Sequence, residues 1–270
     1  AGPPQRQIDW QTDAKHYEFW IRGDEQGNFA IPSVRAGEYT LHAMTDGVLG
    51  EFSHSPVTVQ PGQSLNLGSL TWTPIRRGKQ LWEIGIPNRT ATEFFKGSEY
   101  ADPAISLQYA SLFPSDVNYI VGKSEFSKDW FFQHVPHNED PAARAVPFFG
   151  IRGNGRATPF AIAFNLPTAP SGKATLRLAI CGTSVRQIDV AVNDQPAGVI
   201  DRLLNDGAIP RHSVQGLWYE RELAFDAALL KQGDNVLKLV IPAGPINNGV
   251  IYDYLRLELD EAAGSGAGGF

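Results

Sequence analysis

The sequence has little cysteine and no strong excess of positive charge. Its 270 residues include one cysteine, Cys181, so no disulfide can form within the chain. This residue lies in an apolar run, 176–181, and we expect an inert thiol in the core. The formal net charge is −6 without a basic cluster, which argues against a nucleic-acid-binding surface. No stretch approaches the roughly 18 consecutive apolar residues of a membrane-spanning helix, so we predict no membrane span.

Long helix-forming runs of Ala, Glu, Lys and Leu are also missing. Instead, apolar and polar residues alternate in short segments that Gly, Pro, Asn and Asp separate. A period of two predicts antiparallel strands with one buried face. We therefore predict a small antiparallel sandwich in the first region, about residues 10 to 75. Its predicted strands are 15–22, 29–31, 34–43, 57–59, 65–67 and 70–72.

The second region, about residues 79 to 262, is long enough for roughly eight strands or more, which favours a two-sheet jelly roll. Its clearest predicted strands are 160–164, 174–180, 188–192, 217–223, 236–241 and 250–259. Residues 90–150 are rich in aromatics but irregular, and the pattern assigns them no element. The predicted fold class is all-β. The predicted domains are 1–78, which ends in a linker at 73–78, then 79–262, and a flexible tail, 263–270.

Sequence motifs of common enzymes are missing as well. No glycine-rich phosphate loop lies between a strand and a helix, and no Gly-x-Ser-x-Gly elbow occurs. His134 and His137 have acidic residues nearby, which allows a metal site. However, Pro136 between them prevents the helical spacing that places two ligands on one face, so a solvated loop is favoured.

Asp253 is an acidic residue within an apolar predicted strand. It shares strand parity with Ile251, Leu255, Leu257 and Leu259, so the pleat aims its carboxylate at the buried side. A buried carboxylate needs hydrogen bonds, a cation or a proton. Two interpretations stay open: a carboxylate that accepts backbone N–H bonds, and a ligand of a structural Ca²⁺. We expect no required cofactor apart from such a Ca²⁺.

The stretch 205–219 combines polar and aromatic residues most densely. Proteins hold sugars with an aromatic face and with polar groups on the hydroxyls, and a guanidinium matches the carboxylate of a uronic acid. The predicted carbohydrate-binding residues are Asp206, Arg211, His212, Trp218 and Tyr219. In the alternative, Trp218 or Tyr219 is core and the polar residues only build a loop, since strand alternation lets one of the two aromatics face outward.

Four stretches carry a resemblance to a known family. The most specific is Leu81-Trp82-Glu83-Ile84-Gly85-Ile86-Pro87-Asn88-Arg89-Thr90-Ala91-Thr92-Glu93-Phe94. It resembles the junction motif of rhamnogalacturonan lyases of polysaccharide lyase family four. Residues 27–39 look like that family's fibronectin-III-like middle domain. Residues 206–216 and 251–257 look like its C-terminal module, which resembles carbohydrate-binding modules. The resemblance implies a fibronectin-III/transthyretin-like β-sandwich followed by a β jelly-roll sandwich.

The resemblance also implies a function. This family cleaves the galacturonate–rhamnose backbone of pectin by β-elimination, and its catalytic Lys and His belong to an N-terminal domain with which this sequence does not align. No catalytic residue is therefore carried over, and an accessory, carbohydrate-binding portion of such a lyase is implied. The implied partners are the pectic polysaccharide rhamnogalacturonan I and the N-terminal catalytic domain. We expect a monomeric protein that is secreted, either to the extracellular space or to the periplasm.

Two other interpretations stay open. The same domains could form a stand-alone carbohydrate-binding or adhesion protein without a lyase partner. Alternatively, the chain could itself be a lyase whose site lies within 90–150, where Lys123, Lys128, His134 and His137 supply the groups that β-elimination needs.

Overall fold

The computed structural model describes residues 18–140, 142–146 and 150–261. Contacts divide the chain into two compact units, with the division between Ile75 and Arg76. The predicted tail and the first residues of predicted strand 15–22 lie outside the described residues. Within the described ranges, no helix has the length and apolar character needed to cross a membrane.

The first unit contains an antiparallel pair, β1 (Gly37–Ala43) and β2 (Phe52–Val59). The two strands overlap predicted strands 34–43 and 57–59. The strands predicted at 29–31, 65–67 and 70–72 are not strands in the structure. Their alternating residues do not bury one face, since Phe29 and Leu65 are 44% and 40% exposed. Alternation without burial gives little reason for a strand to form.

The second unit begins at residue 76 and is described to residue 261. Its helices are α1 (Ile105–Leu112) and α2 (Phe126–Asp129), with 3-10 turns at Gly97–Glu99, Ile209–Arg211 and Ala227–Leu229. Its strands are β3 (Lys79–Gly85), β4 (Asn118–Ile120), β5 (Gln133–His134), β6 (His137–Asn138), β7 (Arg144–Val146), β8 (Gly150–Arg152), β9 (Asn154–Arg156), β10 (Thr158–Leu166), β11 (Lys173–Thr183), β12 (Ile188–Val192), β13 (Gln195–Ile200), β14 (Tyr219–Asp226), β15 (Gly233–Ile241), β16 (Gly244–Pro245) and β17 (Val250–Asp260).

The main strands of this unit form two sheets. Sheet I has the order β13–β12–β15–β10–β4, and sheet II has the order β14–β11–β17–β3 with β5 also paired to β17. Side chains alternate between buried and less buried along β10 and β15, as expected when one face packs on a core. The rings of Trp82 on β3 and Phe164 on β10 lie 5.9 Å apart, so the core joins the two sheets. The predicted all-β class and jelly-roll sandwich are confirmed.

The segment that the sequence pattern left unassigned closes part of this core. Trp130, Phe131 and Phe132 follow α2 and are fully buried. The Trp130 ring stands edge-on to Phe160 of β10 at 5.1 Å and to Tyr252 of β17 at 5.8 Å. Because β10 and β17 belong to different sheets, this aromatic segment connects both of them. Long-range ring packing, which has no local period, therefore orders these residues.

Strand β17 is buried on both faces. Its apolar residues belong to the core, while Arg256 (6% exposed) and Glu258 (0%) are buried together with Arg177 of β11 (2%). The Glu258 carboxylate lies 3.5 Å from the Arg256 guanidinium and 3.7 Å from that of Arg177, and it accepts a hydrogen bond from the Arg77 N–H at 2.9 Å. This pairing compensates a carboxylate that would otherwise be costly to bury.

Replacing Phe160 with Ala tests whether the aromatic segment and sheet I share one core. The Phe160 ring is fully buried and stacks on His134 with 3.8 Å between centroids. We expect Phe160→Ala to lower the free energy of unfolding by about 3–5 kcal/mol, measured by urea denaturation. The control Val199→Ala changes a residue that is 48% exposed and should cost less than about 0.5 kcal/mol. Equal effects of the two substitutions would contradict the shared core.

Candidate functional site

Long connections of the second unit gather at one end of the sandwich. Strand pairing places the end of β3 (Gly85) opposite Tyr254, and the end of β11 (Thr183) opposite the start of β17 (Val250). The connections 86–117, 201–218 and 242–249 leave the sheets here, and we call this the loop end. At the opposite end, β10 to β11, β12 to β13 and β14 to β15 are joined by short turns. Long loops on a rigid scaffold are where binding sites concentrate.

A β-bulge places Asp253 at the loop end. Tyr254 pairs with Ala179 and Tyr252 pairs with Ile180, so Asp253 is an extra residue without a partner on β11. Such a bulge bends a strand and re-aims its side chains. The predicted burial of Asp253 is confirmed, since the residue is 0% exposed. However, the burial was predicted from strand parity, and the bulge interrupts that parity. The carboxylate is buried because the loops that bond to it also cover it.

Three N–H groups bind the Asp253 carboxylate. Its Oδ1 accepts hydrogen bonds from the backbone N–H of Asn88 at 3.0 Å and of Arg89 at 2.9 Å. Its Oδ2 accepts one from the indole Nε1 of Trp218 at 2.6 Å. Burial raises the pKa of Asp253 to about 6, although these hydrogen bonds oppose the rise. One carboxylate thus ties two connections to sheet II.

This geometry bears on the Ca²⁺ prediction for Asp253. The three N–H bonds favour the alternative in which hydrogen bonds satisfy the carboxylate. In addition, no cluster of three or more His, Cys, Asp or Glu suited to a metal ion occurs in the part of the chain that the structure describes. Ligation of Ca²⁺ by Asp253 stays a prediction.

Glu93 lies in the same connection as Asn88 and Arg89. Its Oε1 accepts a hydrogen bond from the Ile86 N–H at 3.4 Å, while its Oε2 is buried without a hydrogen-bond partner. Burial raises the pKa of Glu93 to about 7, and the negative charge of Asp253 adds to the rise. Near pH 7 this carboxyl group is therefore present in both its protonated and its ionised form.

Asp206 organises the connection 201–218 in the same way. Its Oδ1 accepts from the N–H of Ala208 at 2.8 Å and of Thr183 at 3.2 Å, and its Oδ2 accepts from Leu217 at 2.8 Å. A Cβ on Gly216 would lie 2.4 Å from this carboxylate, so only glycine fits there. Asp206 therefore fixes the loop to the end of β11.

Arg211 and His212 also take part in loop structure. The Arg211 guanidinium donates to the carbonyl oxygen of Gly207 at 3.2 Å and to that of Asp206. His212 adopts the left-handed conformation, with φ 55°, and ends the 3-10 turn Ile209–Arg211. Arg211 is exposed and His212 half-buried, so ligand contact by these two residues stays a prediction.

Trp218 and Tyr219 are both buried, at 7% and 3% exposure. The Arg89 guanidinium covers the Trp218 ring at 4.2 Å, and the Tyr219 hydroxyl accepts the Leu204 N–H at 3.1 Å. Strand alternation does not separate the two aromatics because β14 begins only at Tyr219. We expected one of the two aromatics to face outward, but both are buried; a sugar contact by either stays a prediction.

The two histidines at 134 and 137 have separate surroundings. His134 is fully buried, with Nδ1 2.9 Å from the Tyr252 hydroxyl and Nε2 2.9 Å from the Thr158 carbonyl oxygen. Burial lowers the pKa of His134 to about 3, so its ring is neutral. His137 instead contacts Asp116 through Nδ1 at 2.8 Å. The expected solvated loop is wrong, because both side chains are buried, and His134 has no nitrogen left for a metal.

A groove at the loop end was not anticipated from the sequence. It has a volume of about 340 Å³ and lies between the connection 184–187 and the connection 242–248. Its lining includes Arg186, which is exposed, and Asn248, which is half-buried. The groove depends on two connections that are distant in sequence, so no local pattern marks it.

Comparison with known proteins identifies the family. Residues 80–257 match the family model described as "CBM-like: Polysaccharide lyase family 4, domain III", and residues 1–67 match the model described as domain II of the same family. This chain belongs to polysaccharide lyase family 4. The resemblance found in the sequence is thereby confirmed, for the second and third domains of that family.

Individual relatives of this family 4 chain agree with the assignment. Rhamnogalacturonate lyase B of Emericella nidulans is 25% identical over 286 residues, which cover 90% of this chain and 42% of the relative. Probable rhamnogalacturonate lyase C of Aspergillus oryzae is 34% identical over 130 residues, 43% of this chain and 18% of the relative. The chain thus spans less than half the length of these curated relatives.

Solved structures similar to the chain include a family 35 carbohydrate-binding module from Clostridium thermocellum. It is 21% identical and has a TM-score of 0.27, covering 37% of this chain and 70% of that module. The assignment of the fold rests on the strand order described above.

Removing the second acceptor of Asp253 should destabilise the second unit. Asp253→Asn leaves one oxygen for the backbone N–H groups but turns an amide donor toward the Trp218 indole N–H. We expect a loss of about 1–3 kcal/mol in the free energy of unfolding, because a buried donor loses its acceptor. Asp234→Asn is the matched control, since Asp234 is exposed and accepts one side-chain bond from Asn165. Equal stability of both variants would contradict the role assigned to Asp253.

Glu93 should make stability depend on pH. Its folded-state pKa of about 7 lies above its ordinary value of 4.5, so the folded protein holds this proton more tightly than the unfolded chain. The stability from this group is complete below pH 4.5 and is lost as the pH rises toward 7. We expect Glu93→Gln to gain stability relative to the unsubstituted protein across this window, measured from urea midpoints. A difference between the two proteins that stays constant with pH would exclude this titration.

Proposed function

We propose that this chain is the accessory, carbohydrate-binding portion of a rhamnogalacturonan lyase that cleaves the galacturonate–rhamnose backbone of pectin. The observation that carries the proposal is the match of residues 80–257 to a domain described as CBM-like within polysaccharide lyase family 4. The names of the fungal relatives support a rhamnogalacturonan substrate for the whole protein. These lyase names also favour this function over a stand-alone adhesion protein.

The architecture supports binding at the loop end. Two carboxylates, the buried Asp253 and the half-buried Asp206, fix the connections of this end through backbone N–H bonds. A site whose loops are already ordered loses little conformational entropy when a ligand binds. A flexible polysaccharide loses much conformational entropy on binding, so a preformed protein surface is an advantage for such a ligand.

Two of the four residues considered for β-elimination are already engaged by other groups of the structure. The reaction requires a base for the C5 proton and positive charge for the resulting enolate. Of the four residues considered for this role, His134 is buried with both ring nitrogens bonded, and Lys128 is exposed and pairs with Glu125. In this proposal the chain contributes binding, and a separate N-terminal catalytic domain contributes the chemistry.

The remaining features of the proposal follow from this function. Pectin lies outside cells, so the protein acts outside the cytoplasm, as a secreted extracellular or periplasmic protein. Its partners are rhamnogalacturonan I and the catalytic domain, and the portion itself is monomeric. We also propose that the two domains comprise residues 1–78 and 79–262.

Calorimetric titration of the purified chain with rhamnogalacturonan-I oligosaccharides tests the proposed function. We expect saturable heat without any ultraviolet absorbance from unsaturated uronate, because the chain binds the polymer but does not cleave it. Absence of heat at millimolar ligand would mean that the jelly roll is purely structural. Release of unsaturated product would instead show that the chain is itself a lyase.

Two further titrations examine the individual predictions from the sequence. Arg211→Ala removes an exposed guanidinium of the predicted binding stretch, and a weaker affinity would place the sugar there. Repeating the titration and the thermal melt after EDTA checks the predicted Ca²⁺. A Tm and an affinity that EDTA leaves unchanged would exclude it.

A further inference from the structure

We propose that the groove between connections 184–187 and 242–248 is the subsite for a uronic-acid residue, with the Arg186 guanidinium as the partner of its carboxylate. The Asn248 amide bonds to hydroxyl groups of the same sugar. This inference rests on the proposed function and names the place and the groups that would hold the ligand.

The groove has a suitable size and lining for a sugar residue. Its volume of about 340 Å³ is at the lower end of the range of about 300–1,000 Å³ typical of small-molecule sites. The lining combines polar groups with the nonpolar rings of two prolines. The residues concerned are Ser184, Arg186, Gln187, Pro242, Pro245 and Asn248. Such a surface can contact both the hydroxyl groups and the C–H groups of a sugar.

Among the described residues that line this groove, Arg186 alone carries a charge. Its side chain is exposed, and its guanidinium has no hydrogen bond or ion pair with any described residue. A guanidinium offers parallel N–H donors that match a carboxylate. Because no carboxylate occurs among the described lining residues to neutralise it, an anionic sugar is favoured over a neutral one.

Other arginines of the loop end are already engaged. Arg156 bonds to Asp116 and Glu139 at 2.9 Å each, and Arg211 donates to two backbone carbonyls. The Arg202 guanidinium lies 3.9 Å from the carboxylate of its neighbour Asp201. Arg186 therefore differs from Arg156 and Arg211 in having its charge available to a ligand, and from Arg202 in lining the groove.

The side-chain amide of Asn248 is likewise without a hydrogen-bond partner in the described part of the chain. An amide offers both donors and an acceptor, which suits a sugar hydroxyl. Only the backbone of Asn248 is committed, since its N–H donates to the Pro245 carbonyl at 2.9 Å. The turn fixes the position of the residue while its amide remains available.

Backbone hydrogen bonds hold the groove walls in place. Ser184 and Gly249 join the two connections: the Ser184 N–H donates to the Gly249 carbonyl at 2.9 Å, and the Gly249 N–H donates to Ser184 Oγ at 2.9 Å. The Arg186 carbonyl accepts the N–H of Leu203 at 3.2 Å. A Cβ on Gly249 would lie 2.1 Å from the His134 carbonyl oxygen, so the backbones are closely packed here. The site is thus preformed.

The test measures affinity for rhamnogalacturonan-I oligosaccharides and for the same oligosaccharides after chemical reduction of their carboxyl groups. We expect Arg186→Ala to weaken binding of the acidic form by roughly 10- to 100-fold, the effect of losing a hydrogen bond to a charged group. Arg186→Lys keeps the positive charge but loses the paired N–H donors of the guanidinium. Its affinity should therefore lie between those of the unsubstituted chain and Arg186→Ala. Asn248→Ala should weaken binding of both forms. The matched control is Arg202→Ala, whose side chain is 81% exposed and lies outside the groove lining; it should bind as the unsubstituted chain does.

Nuclear magnetic resonance titration adds a readout of location: the amide signals of Asn248 and Gly249 should shift with ligand. The inference is overturned if the unsubstituted chain binds while Arg186→Ala and Asn248→Ala bind equally well, since the sugar then lies elsewhere. Equal affinity for the reduced oligosaccharide would overturn the carboxylate contact. If the unsubstituted chain binds neither oligosaccharide, the proposed function fails and this inference fails with it.

Discussion

The loop end depends on one buried carboxylate. Asp253 lies at a bulge of β17 and accepts hydrogen bonds from two successive backbone N–H groups and from the Trp218 indole. Without this acceptor, all three donors would lose their partner, and the buried Trp218 indole N–H alone would cost about 1–3 kcal/mol. The interaction also explains the junction motif 81–94. Its turn presents the Asn88 and Arg89 N–H groups to Asp253, and Arg89 then covers Trp218. Sheet II, the turn at Asn88 and Arg89, and the Trp218 indole therefore depend on one another through Asp253.

The same device recurs at Asp206, whose carboxylate binds three backbone N–H groups from different parts of the chain. Irregular loops need such acceptors because their backbone donors have no partners in a sheet. Side-chain carboxylates are compact and accept several bonds at once. Together, Asp253 and Asp206 order long connections by hydrogen bonding, and the polar residues predicted to contact a ligand largely serve this purpose.

The sequence predicts the strands of sheets I and II well where apolar residues alternate over a long run, as in β10, β15 and β17. It does not predict features that depend on contacts distant in sequence. The bulge at Asp253 arises from pairing with β11, and the aromatic segment around Trp130 is ordered by rings of both sheets. Trp218 and Tyr219 illustrate a second limit, since alternation applies only inside a strand and β14 starts at Tyr219. The groove is a third case. Arg186 and Asn248 line the same groove, whose two connections are joined by hydrogen bonds between Ser184 and Gly249.

Charged groups at the loop end fall into two classes with different physical roles. Asp253 and Asp206 are engaged by the protein's own N–H donors, so changing them should alter stability first and binding only as a consequence. Arg186 is exposed and bonded to no described residue, so changing it should alter binding and leave the fold intact. A ligand gains most from a group whose bonding capacity the fold has not used, because no internal interaction must then be broken. This separation of structural carboxylates from an available guanidinium is the reason for proposing an acidic sugar, rather than a neutral one, as the ligand of the loop end.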